Sequence, residues 1–90
     1  MLKFDNVKIK TATKFKERLF GLMFKKNISY GIFFKNCRSI HTFFMLESID
    51  IVATNKNDDI IKTYKEVKPW RIIIAPKEAK NIYELPKKTL

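Results

Sequence analysis

The stretch IDIVATNKNDDIIKTYKEV, residues 49–67, has the pattern of a β-hairpin. Residues 49–54 and 60–67 are rich in Ile, Val and Thr, the β-branched residues that favour strands. Between them, residues 55–59 read NKNDD, and Asn and Asp are residue types that favour tight turns. Two antiparallel strands joined by a short turn are therefore predicted over residues 49–67.

Short strands are also predicted on both sides of this hairpin. Residues 31–34 read GIFF, and residues 72–75 form a second short apolar stretch. In residues 40–45 the even-numbered side chains should lie on one face of a strand and the odd-numbered side chains on the other. A first strand at residues 7–10 and a last strand at residues 79–85 complete the set.

One helix is predicted near the start of the chain. Phe15, Leu19, Leu22 and Met23 recur at the spacing that places side chains on one helical stripe, which indicates a short helix over roughly residues 14–22. Together with about seven strands, this predicts a mainly β fold. The expected architecture is a compact antiparallel sandwich or small barrel with one short N-terminal helix.

Length and composition indicate a single domain, residues 1–90. A hydrophobic content of 46% is enough for one packed interior, and a chain of this size has no room for a second. The apolar stretches are much shorter than the roughly 20 residues that span a bilayer. Phe4, Asp5 and Asn6 follow Lys3 in place of an apolar segment, so an export signal is not expected. The single cysteine, Cys37, excludes an intrachain disulfide and is expected to be a buried structural residue. A cytoplasmic protein is therefore expected.

The formal net charge of +10 raises the question of nucleic-acid binding. Sixteen of the 19 basic residues are Lys, spread along the whole chain, and only three are Arg. Arg is the residue suited to bidentate phosphate and base contacts. A solvated basic surface is therefore predicted in preference to a dedicated nucleic-acid face, with weak binding of polyanions at low salt.

His41 and Asp50 are the first candidates for a functional site. His41 is the one side chain that titrates near neutrality when unperturbed. It is either a structural histidine bonded to a neighbour or a ligand-binding or proton-transfer residue. A carboxylate in an apolar strand must face solvent or have a partner, so Asp50 is either a structural position or part of a pocket with His41 or an Arg.

Arg18 has two interpretations. Its guanidinium could pair with Asp50 or Glu84 at the edge of the core, or it could bind an anionic ligand. Glu17 is adjacent to Arg18, and adjacent residues on a helix point in different directions. Glu17 and Glu84 are therefore predicted to be structural polar residues.

Trp70 and Arg71 follow Pro69 in a predicted loop. Trp and Arg are enriched in binding hot spots, but a Trp can equally close the end of a barrel. With these two residues, the predicted ligand-binding set is Arg18, His41, Asp50, Trp70 and Arg71.

Several short motifs occur in a definite order: ERLFGLM at residues 17–23, GIFF at 31–34, FM at 44–45, IDI at 49–51 and YELP at 83–86. In this order and spacing they resemble the bacterial and archaeal domain of unknown function 192 family, also called uncharacterised protein family 0127. The resemblance extends over nearly the whole chain. It implies a compact, mainly β domain of sandwich type, and the family has no agreed activity.

The chain departs from that family pattern at several positions. Phe44 stands where many members have Trp, and the spacer between Met45 and Asp50 is shorter than in many members. Two glycines of the pattern are missing, one in the hairpin turn at residues 57–59 and one after Pro86. These differences argue against a ligand site built from the backbone of the turn or of the C-terminal residues.

The motifs of known enzymes are absent from the sequence. It contains no HExxH, CxxC or GxSxG and no glycine-rich phosphate loop, and a single His excludes a multi-histidine metal site. A small non-catalytic binding or accessory domain is therefore predicted, without metal or cofactor and with an unknown ligand or protein partner. The alternatives are an enzyme with His41 and Asp50 as acid–base partners and a non-specific nucleic-acid-binding protein.

Overall fold

The computed structural model describes residues 1–14 and 20–90. The elements in this part of the chain are seven strands: β1 (Lys8–Thr11), β2 (Tyr30–Phe34), β3 (Ser39–His41), β4 (Ile49–Thr54), β5 (Ile60–Val67), β6 (Ile72–Ile74) and β7 (Asn81–Pro86). They agree with the predicted strands to within two residues at either end, except for the strand predicted at residues 40–45. The mainly β prediction is confirmed.

Five strands form one sheet in the order β1-β2-β7-β4-β5, and β3 pairs with β6 in a separate two-stranded sheet. β4 and β5 form the predicted antiparallel hairpin. The antiparallel prediction holds for the pairings of β2 with β7, β7 with β4, β4 with β5 and β3 with β6, but β1 and β2 run parallel, so the large sheet is mixed. Parallel neighbours need a long crossover, and residues 12–29 supply it. The small-barrel alternative is wrong, since β1 and β5 end the sheet without pairing to each other.

The predicted strand at residues 40–45 is too long. β3 ends at His41, and the chain turns at Phe43 and Phe44, where the Met45 amide donates to the Thr42 carbonyl at 3.2 Å. The buried Thr42 causes this turn, because its backbone amide donates to the Arg71 carbonyl at 2.8 Å and draws the chain toward residues 68–71. The alternation expected beyond His41 is therefore lost.

The helix predicted over roughly residues 14–22 falls mostly on residues 15–19, which lie outside the described part of the chain. In the part that is described, Gly21 and Leu22 lie in a turn, where the Met23 amide donates to the Phe20 carbonyl at 2.8 Å. Within residues 1–14 and 20–90, no helix has the length and apolar character needed to cross a membrane.

Both faces of the five-stranded sheet are covered. On the first, called the cavity face, Ile51 and Ile82 belong to the larger core, against which Ile40 and Ile73 of the β3–β6 sheet pack. Ile40 and Ile73 are cross-strand partners, so each strand of the small sheet contributes one side chain to the packing against the larger core.

The opposite side of the sheet, called the N-terminal face, holds a smaller core. Val52, Tyr83 and Leu85 are fully buried there and pack against partly buried residues that include Leu2 and Phe4. With both faces covered, every residue of β4 and β7 is buried. A polar residue in either strand therefore lies inside the protein, on a face set by its position in the alternation.

Candidate functional site

Glu84 lies in β7, the middle strand of the large sheet, with Ile32 and Ile51 as its cross-strand partners. Its side chain is on the cavity face and is 5% exposed. The backbone amide of Leu22 donates a hydrogen bond to the carboxyl group. The other oxygen, Oε1, has no hydrogen-bond partner among the described residues. An orphaned buried polar atom is rare in a native fold and calls for a physical reason.

Burial dominates the acid–base behaviour of this carboxyl. Desolvation raises the pKa of Glu84 to about 8, although the Leu22 hydrogen bond favours the charged form and opposes the shift. At neutral pH the group is therefore mainly a neutral carboxylic acid. Since the other oxygen accepts from Leu22, the proton is placed on Oε1, which becomes a hydrogen-bond donor.

A cavity of about 210 Å³ lies beside this carboxyl. Its wall combines the turn around Gly21, the side chain of Phe34, the start of the β3–β6 sheet and Met45. Most of these groups are apolar; Glu84, His41, Ser39 and Cys37 supply the polar side chains. The cavity therefore has the composition of a small-molecule site, an apolar wall with a few polar groups.

Gly21 makes room for the carboxyl. Its φ is +49°, in the left-handed region, and a Cβ atom there would lie 2.9 Å from Oε1 of Glu84 and 3.3 Å from the Phe34 ring. Only glycine has both the conformational freedom and the small size that this approach requires. Gly21 thus lets its backbone lie against Oε1, where the Cβ of any other residue would overlap the carboxyl.

His41 also lines the cavity and is half-buried. Its Nδ1 accepts a hydrogen bond from the Phe43 amide at 3.1 Å, and the two rings lie 4.8 Å apart. With Nδ1 as acceptor, a neutral His41 carries its proton on Nε2. Cys37 is only partly buried, and its thiol donates to the Ser39 carbonyl at 3.1 Å.

Asp50 occupies different surroundings. It alternates with Ile51 and pairs with Leu85, which places its side chain on the N-terminal face, across the sheet from Glu84. Its Oδ1 accepts from the Glu66 amide at 2.8 Å and its Oδ2 from the Leu90 amide at 2.9 Å. The pairing of β4 with β5 shifts register beside Asp50. At this irregularity the Asp50 carboxylate accepts the Glu66 amide in place of a backbone carbonyl.

Trp70 and Arg71 lie in the loop before β6 and are both exposed. The Trp70 ring packs on Phe43 and Phe44, with centroid distances of 5.5 and 4.8 Å. The Arg71 guanidinium donates to the Pro69 carbonyl at 3.3 Å. The structure therefore joins His41 to Trp70 through Phe43, and it separates both from Asp50.

Arg18 and Glu17 lie outside the described residues, so their predicted roles stay predictions. Within the part of the chain that is described, no group of three or more His, Cys, Asp and Glu side chains could hold a metal ion. The sequence analysis missed the cavity role of Glu84. One signal pointed to it: an acidic residue between Tyr83 and Leu85, in a strand that is otherwise apolar.

Fold and cavity together define a small, mainly β domain with a buried carboxylic acid at its centre. The sequence profile of the DUF192 family, described as "Uncharacterized ACR", matches residues 2–90, and the chain belongs to this family. The resemblance drawn from the motifs is confirmed.

Archaeal relatives share much of this sequence. A UPF0127 protein of Pyrococcus horikoshii is 39% identical over 85 residues, which cover 88% of this chain and 72% of the relative. A UPF0127 protein of Thermococcus sibiricus is 34% identical over 85 residues. This chain spans 54% of the length of the Thermococcus relative.

Solved structures share the fold. A protein of unknown function from Novosphingobium aromaticivorans superposes with a TM-score of 0.78 at 14% identity, over 91% of this chain and 64% of that one. A chain from Sinorhizobium meliloti gives 0.76 at 18% identity, over 90% and 69%. At these identities the likeness concerns the fold alone.

Proposed function

We propose that this chain is a small non-catalytic binding domain whose cavity holds a small, uncharged, largely apolar molecule with one hydrogen-bond acceptor. The observation that carries the proposal is that Glu84 lines the cavity while its buried Oε1 has no hydrogen-bond partner within residues 1–14 and 20–90. A ligand carbonyl would accept the proton that Oε1 carries at neutral pH and would remove the cost of the orphaned donor.

The size and charge of the site support this ligand class. A cavity of about 210 Å³ is somewhat larger than the roughly 150 Å³ cavity that binds benzene in an engineered protein. A single ring with one polar substituent therefore fits. The net charge of +10 disfavours the approach of cations, and a neutral carboxylic acid gives them no counter-charge.

Catalysis by His41 and Asp50 has weaker support. Acid–base partners must come within hydrogen-bond reach of a common substrate. Asp50 lies on the N-terminal face with both oxygens bonded to backbone amides, whereas His41 lines the cavity on the other side of the sheet.

The proposal can be tested with cyclopentanone, which combines one carbonyl acceptor with a small apolar ring. Amide chemical shifts would be followed in a titration, with cyclopentylamine as a cationic comparison of similar size. We expect saturable shifts around Gly21, Phe34 and Glu84 for the ketone, with affinity in the millimolar range typical of so few atoms, and none for the amine.

Two variants separate the role of Oε1 from that of the apolar wall. Glu84→Gln keeps a donor at this position and should retain ketone binding, without the loss above pH 8 that deprotonation causes in the parent protein. Glu84→Leu removes the donor and should abolish binding. Equal binding of the ketone by Glu84→Leu and the parent protein would contradict the proposal.

A further inference from the structure

Three exposed aromatic residues on three separate turns lie in contact with one another. Phe24, Phe44 and Trp70 are 60%, 47% and 55% exposed. The rings of Phe24 and Phe44 are 5.5 Å apart, and those of Phe44 and Trp70 are 4.8 Å apart. These three residues are called the aromatic cluster below. Exposed aromatic side chains that gather in one place indicate an interaction surface.

Every member of the aromatic cluster has a left-handed backbone. Phe24, Phe44 and Trp70 have φ values of 63°, 62° and 65°. Asn and Asp tolerate this region, and they account for four of the other described non-glycine residues found there, Asn6, Asn27, Asn36 and Asp58. A bulky side chain at positive φ is strained, and such strain concentrates at functional sites.

Hydrogen bonds hold the three turns in place. The Phe24 amide donates to the Phe44 carbonyl at 3.0 Å, and the Trp70 amide donates to the Thr42 carbonyl at 3.0 Å. The Thr42 hydroxyl donates to the Lys68 carbonyl at 2.7 Å and accepts from the Arg71 amide at 2.8 Å. Hydrogen bonds therefore link the turns that carry the aromatic cluster to one another.

Apolar surface continues from the aromatic cluster onto β6. Ile72 and Ile74 are 64% and 65% exposed. They alternate with Ile73, which packs against the larger core, so they lie on the outer side of the small sheet. Their cross-strand partners are His41 and Ser39. The His41 ring contacts Phe43, whose ring stacks on Trp70 at 5.5 Å. Leu46, which is 48% exposed, follows the turn at Phe44.

Positive charge accompanies this surface. Residues 20–28, 40–46 and 68–74, which carry its apolar side chains, contain four basic residues, Lys25, Lys26, Lys68 and Arg71, and no Asp or Glu. All four are exposed. Glu47, the next acidic residue along the chain, accepts hydrogen bonds from the Asn27 and Ile28 amides and pairs with Lys87 at 3.9 Å.

We propose that the face formed by the aromatic cluster, Leu46, Ile72 and Ile74 docks on the surface of a lipid bilayer that carries anionic headgroups. Aromatic and aliphatic tips enter the boundary between headgroups and acyl chains, while the basic residues beside them neutralise the headgroup charge. Trp is suited to this boundary because its ring is apolar and its N–H is polar.

The contacts within the face favour lipid over single-stranded nucleic acid. Nucleobases stack on free ring faces, whereas Trp70 is stacked on Phe43 and meets Phe44 edge to face. Ile72, Ile74 and Leu46 have no ring on which a base could stack. Their exposure fits an apolar medium.

The single tryptophan of the chain, Trp70, reports directly on this docking. Its fluorescence would be recorded with vesicles of phosphatidylcholine alone and with vesicles of phosphatidylcholine and phosphatidylglycerol in equal parts. We expect a blue shift with the anionic vesicles, a much smaller one with phosphatidylcholine, and loss of the shift at high salt because the charge attraction is screened. Co-sedimentation with the same vesicles gives the affinity.

Substitution to glycine separates docking from folding. Phe24→Gly with Phe44→Gly removes two rings but suits the positive φ at both positions. We expect at least about tenfold weaker vesicle binding, with the unfolding midpoint little changed.

Lys25→Gln with Lys26→Gln should weaken binding only to the anionic vesicles. Ile60→Thr, and Lys56→Gln with Lys65→Gln, are matched controls at exposed positions outside this face.

Clear results would overturn the proposal. The proposal fails if Trp70 fluorescence does not shift with anionic vesicles. It also fails if the double glycine variant binds these vesicles as tightly as the parent protein. A shift caused by a single-stranded oligothymidylate but not by vesicles would assign the face to nucleic acid instead. Each outcome is independent of ketone binding in the Glu84 cavity.

Discussion

Asp50 and Glu84 are both buried carboxyl residues of the central strands, yet their surroundings differ on the two faces of the sheet. Asp50 is 2% exposed, and each of its oxygens accepts a backbone amide. Glu84 is 5% exposed, and its Oε1 has no partner among the described residues. A carboxylate saturated by backbone donors stabilises the fold, whereas a buried carboxyl oxygen without a partner costs stability and calls for a physical reason.

The largest expected effect of the buried Glu84 carboxyl is on how the free energy of unfolding depends on pH. The folded pKa of Glu84, about 8, lies above its ordinary value of 4.5. The folded state therefore binds more protons than the unfolded chain between these values, and stability should fall as the pH rises through that window. The full effect is on the order of 5 kcal/mol. Chemical unfolding of the parent protein and Glu84→Gln from pH 4 to pH 9 would measure it. A parallel pH profile for the two proteins would contradict the role of Glu84.

Asp50→Ala should be the next most damaging change. It leaves the Glu66 and Leu90 amides without their acceptor, and two hydrogen bonds to a charged group correspond to about 3 kcal/mol. Asp50→Asn retains one oxygen and should lose less. Urea unfolding would give the values, with Glu78→Ala as an exposed control. If Asp50→Ala left the free energy of unfolding unchanged, the hydrogen bonds from the Glu66 and Leu90 amides to Asp50 would not stabilise the fold.

Gly21→Ala should lower the free energy of unfolding by about 2 kcal/mol. Alanine is strained at the positive φ of this position, and its Cβ would overlap a packed neighbour. The added Cβ would lie 2.9 Å from Oε1 of Glu84. Thermal unfolding would give the stability, and the cyclopentanone titration should show weakened binding. A variant as stable as the parent protein would mean that the turn relaxes away from Glu84.

The smallest expected effect concerns Thr42, which lies after β3 and links the turn at Phe44 to the loop that carries Trp70. Thr42→Val removes the hydroxyl that bonds to Lys68 and Arg71, at a cost of about 1.5 kcal/mol. Because Trp70 depends on these turns, its emission should change as well. Thr63→Val, at an exposed position of β5, is the control. An unchanged Trp70 spectrum in Thr42→Val would show that the turns do not depend on the hydroxyl.

Sequence reasoning succeeded where the pattern is local. The hairpin over residues 49–67 follows from β-branched strands and a turn of Asn and Asp, and the structure reproduces its bounds. It failed at residues 40–45, where alternation continues in the sequence but the bonds of Thr42 to a distant segment bend the chain. It also missed the parallel pairing of β1 with β2, because strand direction depends on the path of a long crossover.

The sequence by itself determined the family, the strands and the presence of carboxyl residues inside apolar stretches. It placed Asp50 in the ligand-binding set and Glu84 among the structural residues, although both read as one acidic residue between apolar neighbours and nothing local separates their surroundings. Only the tertiary structure decided that backbone amides cover Asp50 while Oε1 of Glu84 lies buried against Gly21 with no partner among the described residues. The reason is physical: alternation assigns a side chain to a face, but segments distant in the chain determine which donors cover that face.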